Sequence, residues 1–151
     1  PFLIRYPRII KAGTVNKDLC INVDLAPTLL ELARLKAPAA MQGRSMVPLL
    51  KGKAPNDWRQ SQFYTYWGAP NHYGIRTERY TYLKIAGHPA ELFDRQTDPN
   101  EIHNVADNTE NKPVIERLEK ELQKQIREVD IGQDELPKSS KDKEKKKRPR
   151  K

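Results

Sequence analysis

At 151 residues the chain is about one domain long, and with 36% hydrophobic against 32% charged residues it has the apolar content for only a modest core. The net charge of +8 is gathered at one end: Lys138 to Lys151 holds nine Lys or Arg against two acids, and the residues before it come to +1. That distribution speaks against a basic nucleic-acid-binding surface, the single Cys20 excludes an intrachain disulfide framework, and no apolar run approaches the roughly 18 to 20 residues of a membrane-spanning helix.

The first element, Phe2 to Tyr6, is a short apolar run stopped by Pro7, with the length and texture of a strand buried on both faces. Such a strand needs a parallel sheet around it, and the residues that follow do not encode one, so the chain reads as part of something longer. A turn at Lys11 to Thr14 leads to a helix start at Asp24, placed as N-cap with Pro27 in the first turn. Leu25, Leu29, Leu32 and Leu35 then form an apolar stripe. Capping accounts for Asp24 better than metal binding, because no second acid or histidine lies at ligand spacing. Ser45 caps a short helix running through Leu50, which Gly52 ends.

Lys51 to Asp57 is a polar connection and the most natural boundary in the chain. Three extended runs follow, Gln62 to Trp67, His72 to Thr77 and Tyr80 to Ala86, then a shorter fourth, Ala90 to Asp94. Eight of the eleven aromatics fall here, bounded by turn residues, which predicts a small antiparallel sheet. Alternation puts Tyr73 and Ile75 on one face and His72, Gly74 and Arg76 on the other. A turn-rich stretch around Asp98-Pro99-Asn100-Glu101 leads to an amphipathic helix from Pro113, with Ile115, Leu118, Leu122, Ile126 and Val129 on its apolar stripe. The Lys138 to Lys151 tail has no apolar residue to repay its ordering entropy and is expected to be disordered.

Chemistry is sparse: there is no phosphate-cradling glycine loop, no cysteine pair, no HExxH and no GxSxG elbow. Of the three histidines, His88 and His103 read as surface residues. His72 stands beside the Trp67 to Asn71 loop and on the same face as Arg76, so aromatic surface, imidazole and guanidinium are candidates to meet an anionic or sugar-like ligand. An ordinary solvated face fits the same residues equally well.

Five motifs in series carry a resemblance: Pro-Phe-Leu-Ile-Arg-Tyr-Pro (1–7), Asn-Val-Asp-Leu-Ala-Pro-Thr-Leu-Leu-Glu-Leu-Ala (22–33), Gln-Gly-Arg-Ser-Met-Val-Pro-Leu-Leu-Lys-Gly (42–52), Tyr-Gly-Ile-Arg-Thr-Glu-Arg-Tyr (73–80) and Glu-Leu-Phe-Asp-Arg-Gln-Thr-Asp-Pro-Asn-Glu (91–101). Together, over about residues 1 to 130, they resemble the C-terminal part of the formylglycine-dependent sulfatases, closest in flavour to arylsulfatases and N-sulfoglucosamine sulfohydrolases. The resemblance implies an α+β fragment of an α/β, alkaline-phosphatase-like fold. Residues 1–52 would end the large catalytic domain with a strand and helices, 53–136 would form a subdomain of four antiparallel strands and one long helix, and 137–151 would be the disordered tail.

It further implies hydrolysis of sulfate esters or sulfamates of a sulfated glycan, a formylglycine nucleophile and calcium in the complete enzyme, and a periplasmic or secreted location. Neither the Cys/Ser-x-Pro-x-Arg nucleophile motif nor the calcium ligands match residues of this sequence, so the resemblance assigns it no catalytic or metal-binding residue and expects no turnover from this chain alone. His72 and Arg76 remain as substrate contacts, and the missing N-terminal catalytic portion is the expected partner. The alternative reading is a stand-alone binding module whose basic tail holds anionic glycan or nucleic acid.

Overall fold

The computed structural model describes residues 2–68, 70–132 and 136–137. The chain divides into two compact units, Pro1–Arg59 and Gln60–Lys151.

In the first unit, a single 3-10 turn at Asn22–Asp24 runs into helix α1, Leu25–Leu32. The helix ends where Arg34 turns into the left-handed region at φ 61° and the Leu35 N–H reaches back 2.8 Å to the Leu30 carbonyl, a Schellman-type stop. The short helix α2, Val47–Leu50, has Met46 and not the predicted Ser45 as its N-cap, and Ser45 Oγ, one residue before that cap, accepts from the Val47 N–H at 3.2 Å. Met46, Leu49 and Trp58 make a small core.

Two further expectations for this unit are corrected. Phe2 to Tyr6 pairs with no strand among the described residues, and Leu3 is 92% exposed. A strand has no stable existence without neighbours to take its backbone hydrogen bonds, and the first described strand lies far downstream. The leucine stripe of α1 does not face the core either. Leu25, Leu29 and Leu35 are exposed, and the helix buries Pro27 and Thr28 instead.

In the second unit, β1 (Ser61–Tyr66), β2 (His72–Thr77), β3 (Tyr80–Ile85) and β4 (Glu91–Asp94) form one antiparallel sheet in consecutive order. The register aligns Phe63, Ile75, Tyr82 and Leu92 as one row across it. Helix α3, Lys112–Glu128, starts with Pro113 in its first turn after a 3-10 turn capped by Asn108, and packs Leu118, Leu122 and Ile126 into the same core. Burying each of these side chains contributes on the order of 1.5–3 kcal/mol. The Tyr82 hydroxyl and the Lys84 ammonium both hold Glu119 of α3, at 3.0 and 2.8 Å, which confirms the face of the sheet that α3 covers. The basic tail lies outside the described residues.

Candidate functional site

With one face under α3, strand alternation leaves Tyr64 and Tyr66 of β1, His72, Gly74 and Arg76 of β2, and Thr81, Leu83 and Ile85 of β3 on the other. The register sets Tyr66 directly opposite His72, the two residues that flank the β1–β2 loop. Their rings stand 5.0 Å apart at 34°, and Tyr64 meets His72 edge-on at 6.2 Å. His72 Nδ1 lies 3.0 Å from the Pro70 carbonyl oxygen. A carbonyl only accepts, so Nδ1 carries the proton and donates, leaving Nε2 without a partner among the described residues. Neutral, that nitrogen accepts from a hydroxyl; protonated, it donates to an anion.

Arg76 lies four residues further along the strand, roughly 13 Å from His72 at 3.3 Å per residue. It is already engaged: Nη1 is 3.2 Å from Glu101 Oε1, and Arg95 Nε shares the same oxygen at 3.0 Å. Glu101 holds this position with its backbone in the left-handed region, φ 55°, which few side-chain-bearing residues adopt. Glu91, opposite Leu83, stands on the same face and also acts on Tyr64, so the two guanidiniums face two carboxylates here.

Tyr64 links the two ends. A Cβ on Gly74 would fall 3.0 Å from its hydroxyl, and the same atom would come within 2.2 Å of the Tyr82 carbonyl oxygen, so only glycine fits between the strands there. Burial pushes the Tyr64 hydroxyl up to about 12, with Glu101 adding and Arg76 opposing, so it stays a donor at any ordinary pH. His72 and Arg76 therefore share a face, as the sequence predicts, but they do not converge on one point. His88 and His103 are exposed; His103 Nδ1 stands 3.5 Å from Asp98.

The first unit holds a different cluster, which sequence reasoning missed. Asp24 has no exposed surface. Its carboxylate takes both arms of the Arg59 guanidinium, with Nη2 to Oδ1 at 2.8 Å, the Arg44 N–H at 2.8 Å and the Ile21 N–H at 3.0 Å. Burial alone would raise its pKa, yet these donors outweigh it and hold the carboxyl below the usual range. Asp24 therefore does not cap α1 with its side chain. Trp58, with Nε1 on the Leu19 carbonyl at 3.0 Å, is flanked by the guanidiniums of Arg44 and Arg59 at 4.9 and 5.0 Å. Gly43 permits this closure, since a Cβ there would lie 1.9 Å from the Val23 carbonyl oxygen.

Among the described residues, no side chains fit the calcium or formylglycine of the resembled family. No group of three or more His, Cys, Asp or Glu that could hold a metal occurs among the described residues. Asp24 is fully occupied by its own chain. Cys20 is at the surface, but the packing behind it desolvates the thiol and pushes its pKa up, with Asp24 adding and Arg59 opposing, the reverse of an activated nucleophile.

Residues 1–128 match the family described as N-sulphoglucosamine sulphohydrolase, C-terminal. The chain is 35% identical to an N-acetylglucosamine-6-O-sulfatase of Bacteroides thetaiotaomicron, aligned over 89% of this chain and 26% of that protein. It is 32% identical to arylsulfatase K of Gallus gallus, over 70% of this chain and 22% of that protein. Among solved structures it superposes with a TM-score of 0.81, at 32% identity, on a protein in complex with its substrate D-glucosamine-2-N,6-O-disulfate, covering 85% of this chain and 28% of that one. The architecture is that of alkaline-phosphatase-like sulfatases, and the chain spans about a quarter of the length of the relatives it matches.

Proposed function

Because this chain belongs to the sulfatases, through the family described as N-sulphoglucosamine sulphohydrolase, C-terminal, we propose that it works as the C-terminal part of an enzyme that hydrolyses sulfate esters or sulfamates of a sulfated glycan. The nucleophile and metal of that reaction belong to the portion that the longer relatives possess and this sequence does not match. In this reading the first unit, Pro1–Arg59, completes the large catalytic domain, and the second, which starts at Gln60, forms the C-terminal subdomain. The leucine face of α1 and the exposed Phe2 to Ile4 segment are the surfaces that such a domain would cover.

His72 is the residue of this chain proposed to touch substrate, and one observation carries the assignment: its ring is fixed by Pro70 and two tyrosines while Nε2 has no partner among the described residues. A sugar hydroxyl or a sulfate oxygen is a suitable partner for that nitrogen. Arg76 is proposed as the second contact, through the guanidinium donors that its pairing with Glu101 leaves over. At roughly 13 Å from His72 it would address a different substituent of the glycan.

The test joins residues 1–132 of this chain to the upstream portion of the N-acetylglucosamine-6-O-sulfatase relative and assays a sulfated glucosamine substrate. His72→Ala should lower kcat/KM about ten- to a hundredfold, the range of one or two charge-assisted hydrogen bonds, while His88→Ala leaves it unchanged. Full activity of a folded His72→Ala chimera would remove His72 from the site.

A further inference from the structure

The loop between β1 and β2 supplies the Pro70 carbonyl that accepts from His72 Nδ1. Its shape is set by Asn71. The Asn71 side chain faces the carbonyl oxygens of Gly68 and Trp67, and since a carbonyl only accepts, the amide nitrogen is the atom turned toward them, at 2.5 and 2.9 Å. The Asn71 backbone carbonyl accepts from the Ala86 N–H at 2.9 Å, just past the end of β3. Asn71 thus ties the first half of the loop to the strand on the far side of β2. The Gly68 peptide is held from another side as well. A Cβ there would run into the Tyr66 ring, which in turn packs on His72 with ring centres 5.0 Å apart.

We infer that Asn71 is a positioning residue for His72: by holding the loop through the Trp67 and Gly68 carbonyls it keeps the Pro70 carbonyl on Nδ1, and so presents Nε2 to the ligand as a lone pair. This role rests on the proposed contact of His72 with substrate. A neutral imidazole has one N–H and one lone pair, and the partner of the first decides which nitrogen keeps the second. With Nδ1–H given to Pro70, Nε2 is an acceptor for a sugar hydroxyl. With the loop released, both tautomers are populated, and the form protonated at Nε2 can no longer accept from that hydroxyl. The chemistry of the brace requires an amide. A carboxylate of the same shape has no N–H to give to two carbonyls, and an alanine has nothing to give.

The test is the nitrogen NMR spectrum of the His72 ring in the isotopically labelled 151-residue chain, recorded above about pH 8, where histidine rings are neutral. In the wild-type chain Nδ1 should carry the proton. In Asn71→Ala and in Asn71→Asp the Nδ1 and Nε2 shifts should move toward each other as the second tautomer becomes populated. A wild-type ring protonated at Nε2 would overturn the role without any variant. So would a wild-type tautomer kept in both variants with the sheet amide spectrum unchanged. If neither variant keeps the sheet, the wild-type side-chain N–H protons of Asn71 decide: exchange with water as fast as at the exposed Asn100 overturns the brace, and slower exchange supports it.

In the chimera, the two readings separate. Asn71→Asp should lower kcat/KM about two- to tenfold, the range of one neutral hydrogen bond, and should add nothing in a His72→Ala background. Lowered activity in His72→Ala beside an unchanged kcat/KM in Asn71→Asp would keep the proposed function and discard the positioning role. Full activity of the folded His72→Ala chimera would remove the contact itself, and the role of Asn71 with it, even where the tautomer shifts. A loss in Asn71→Asp that persists undiminished in the His72→Ala background would mean that Asn71 acts on the fold and not through His72, and would likewise discard the role.

Discussion

The two units solve the problem of folding by different means. In the second, the row Phe63, Ile75, Tyr82 and Leu92 meets Leu118, Leu122 and Ile126, and the apolar surface closes on itself. In the first, among the described residues, a small cluster of Met46, Leu49 and Trp58 gathers, while Phe2, Leu3, Val15, Leu25, Leu29 and Leu35 stay exposed. Its organising centre is a buried carboxylate, Asp24, whose donors come from Ile21, Arg44 and Arg59. Hydrogen bonds to a charged group are directional and fix geometry, whereas apolar burial supplies most of the free energy. A unit held mainly by the first means keeps its shape while its apolar surface remains available to something else.

Breaking that contrast should have its largest effect at Asp24. Asp24→Ala leaves Arg59 and two backbone N–H groups without their acceptor, and removing one member of a buried pair costs about 3–5 kcal/mol. Amide exchange should accelerate through α1 and α2 while β2 and β3 keep their protection; uniform loss across both units would mean that they fold as one. Leu122→Ala should show the opposite pattern. Truncating a fully buried leucine costs about 2–5 kcal/mol, and here the loss should fall on the sheet and α3.

Acid should sharpen the comparison further. The folded pKa of Asp24 is depressed, so its contribution is present above the unfolded value of about 3.9 and is lost as pH falls through the folded value. In a Trp67→Phe background, Trp58 emission should therefore shift to the red below about pH 4. Asp24→Asn should start less stable and lose that acid-dependent step. An unchanged profile in Asp24→Asn would assign the transition to another carboxylate. The smallest effect belongs to Arg79, which forks onto Asp94 at 2.7 to 3.1 Å with its own side chain half exposed. Arg79→Ala should leave the denaturation midpoint of the second unit nearly unchanged, because exposed pairs are screened and spend side-chain entropy to form.

Legibility followed the range of the interactions. The four strands and α3 agree with their predicted runs to within a residue or two at the ends, because alternation and 3.6-residue periodicity are local signals. The shared face of His72 and Arg76 was readable for the same reason. Tyr66 opposite His72 required the hairpin register, which a symmetric count across the five intervening residues would have suggested. The pairing of Arg76 with Glu101 had no such signal, since the two residues are separated by a hairpin, a strand and a turn.

What the sequence determined by itself is the second unit's sheet, its covering helix and the face each strand residue takes, since each depends on neighbours a few positions away. The tertiary structure alone decided that Asp24 is a buried hub and not a cap, that the leucines of α1 point outward, and that Gly68 seats the Tyr66 ring. A carboxylate looks the same in sequence whether its donor is the next turn or Arg59, and a leucine stripe marks an apolar face without saying what covers it. Those outcomes depend on contacts between segments far apart in the chain, and no local periodicity encodes them.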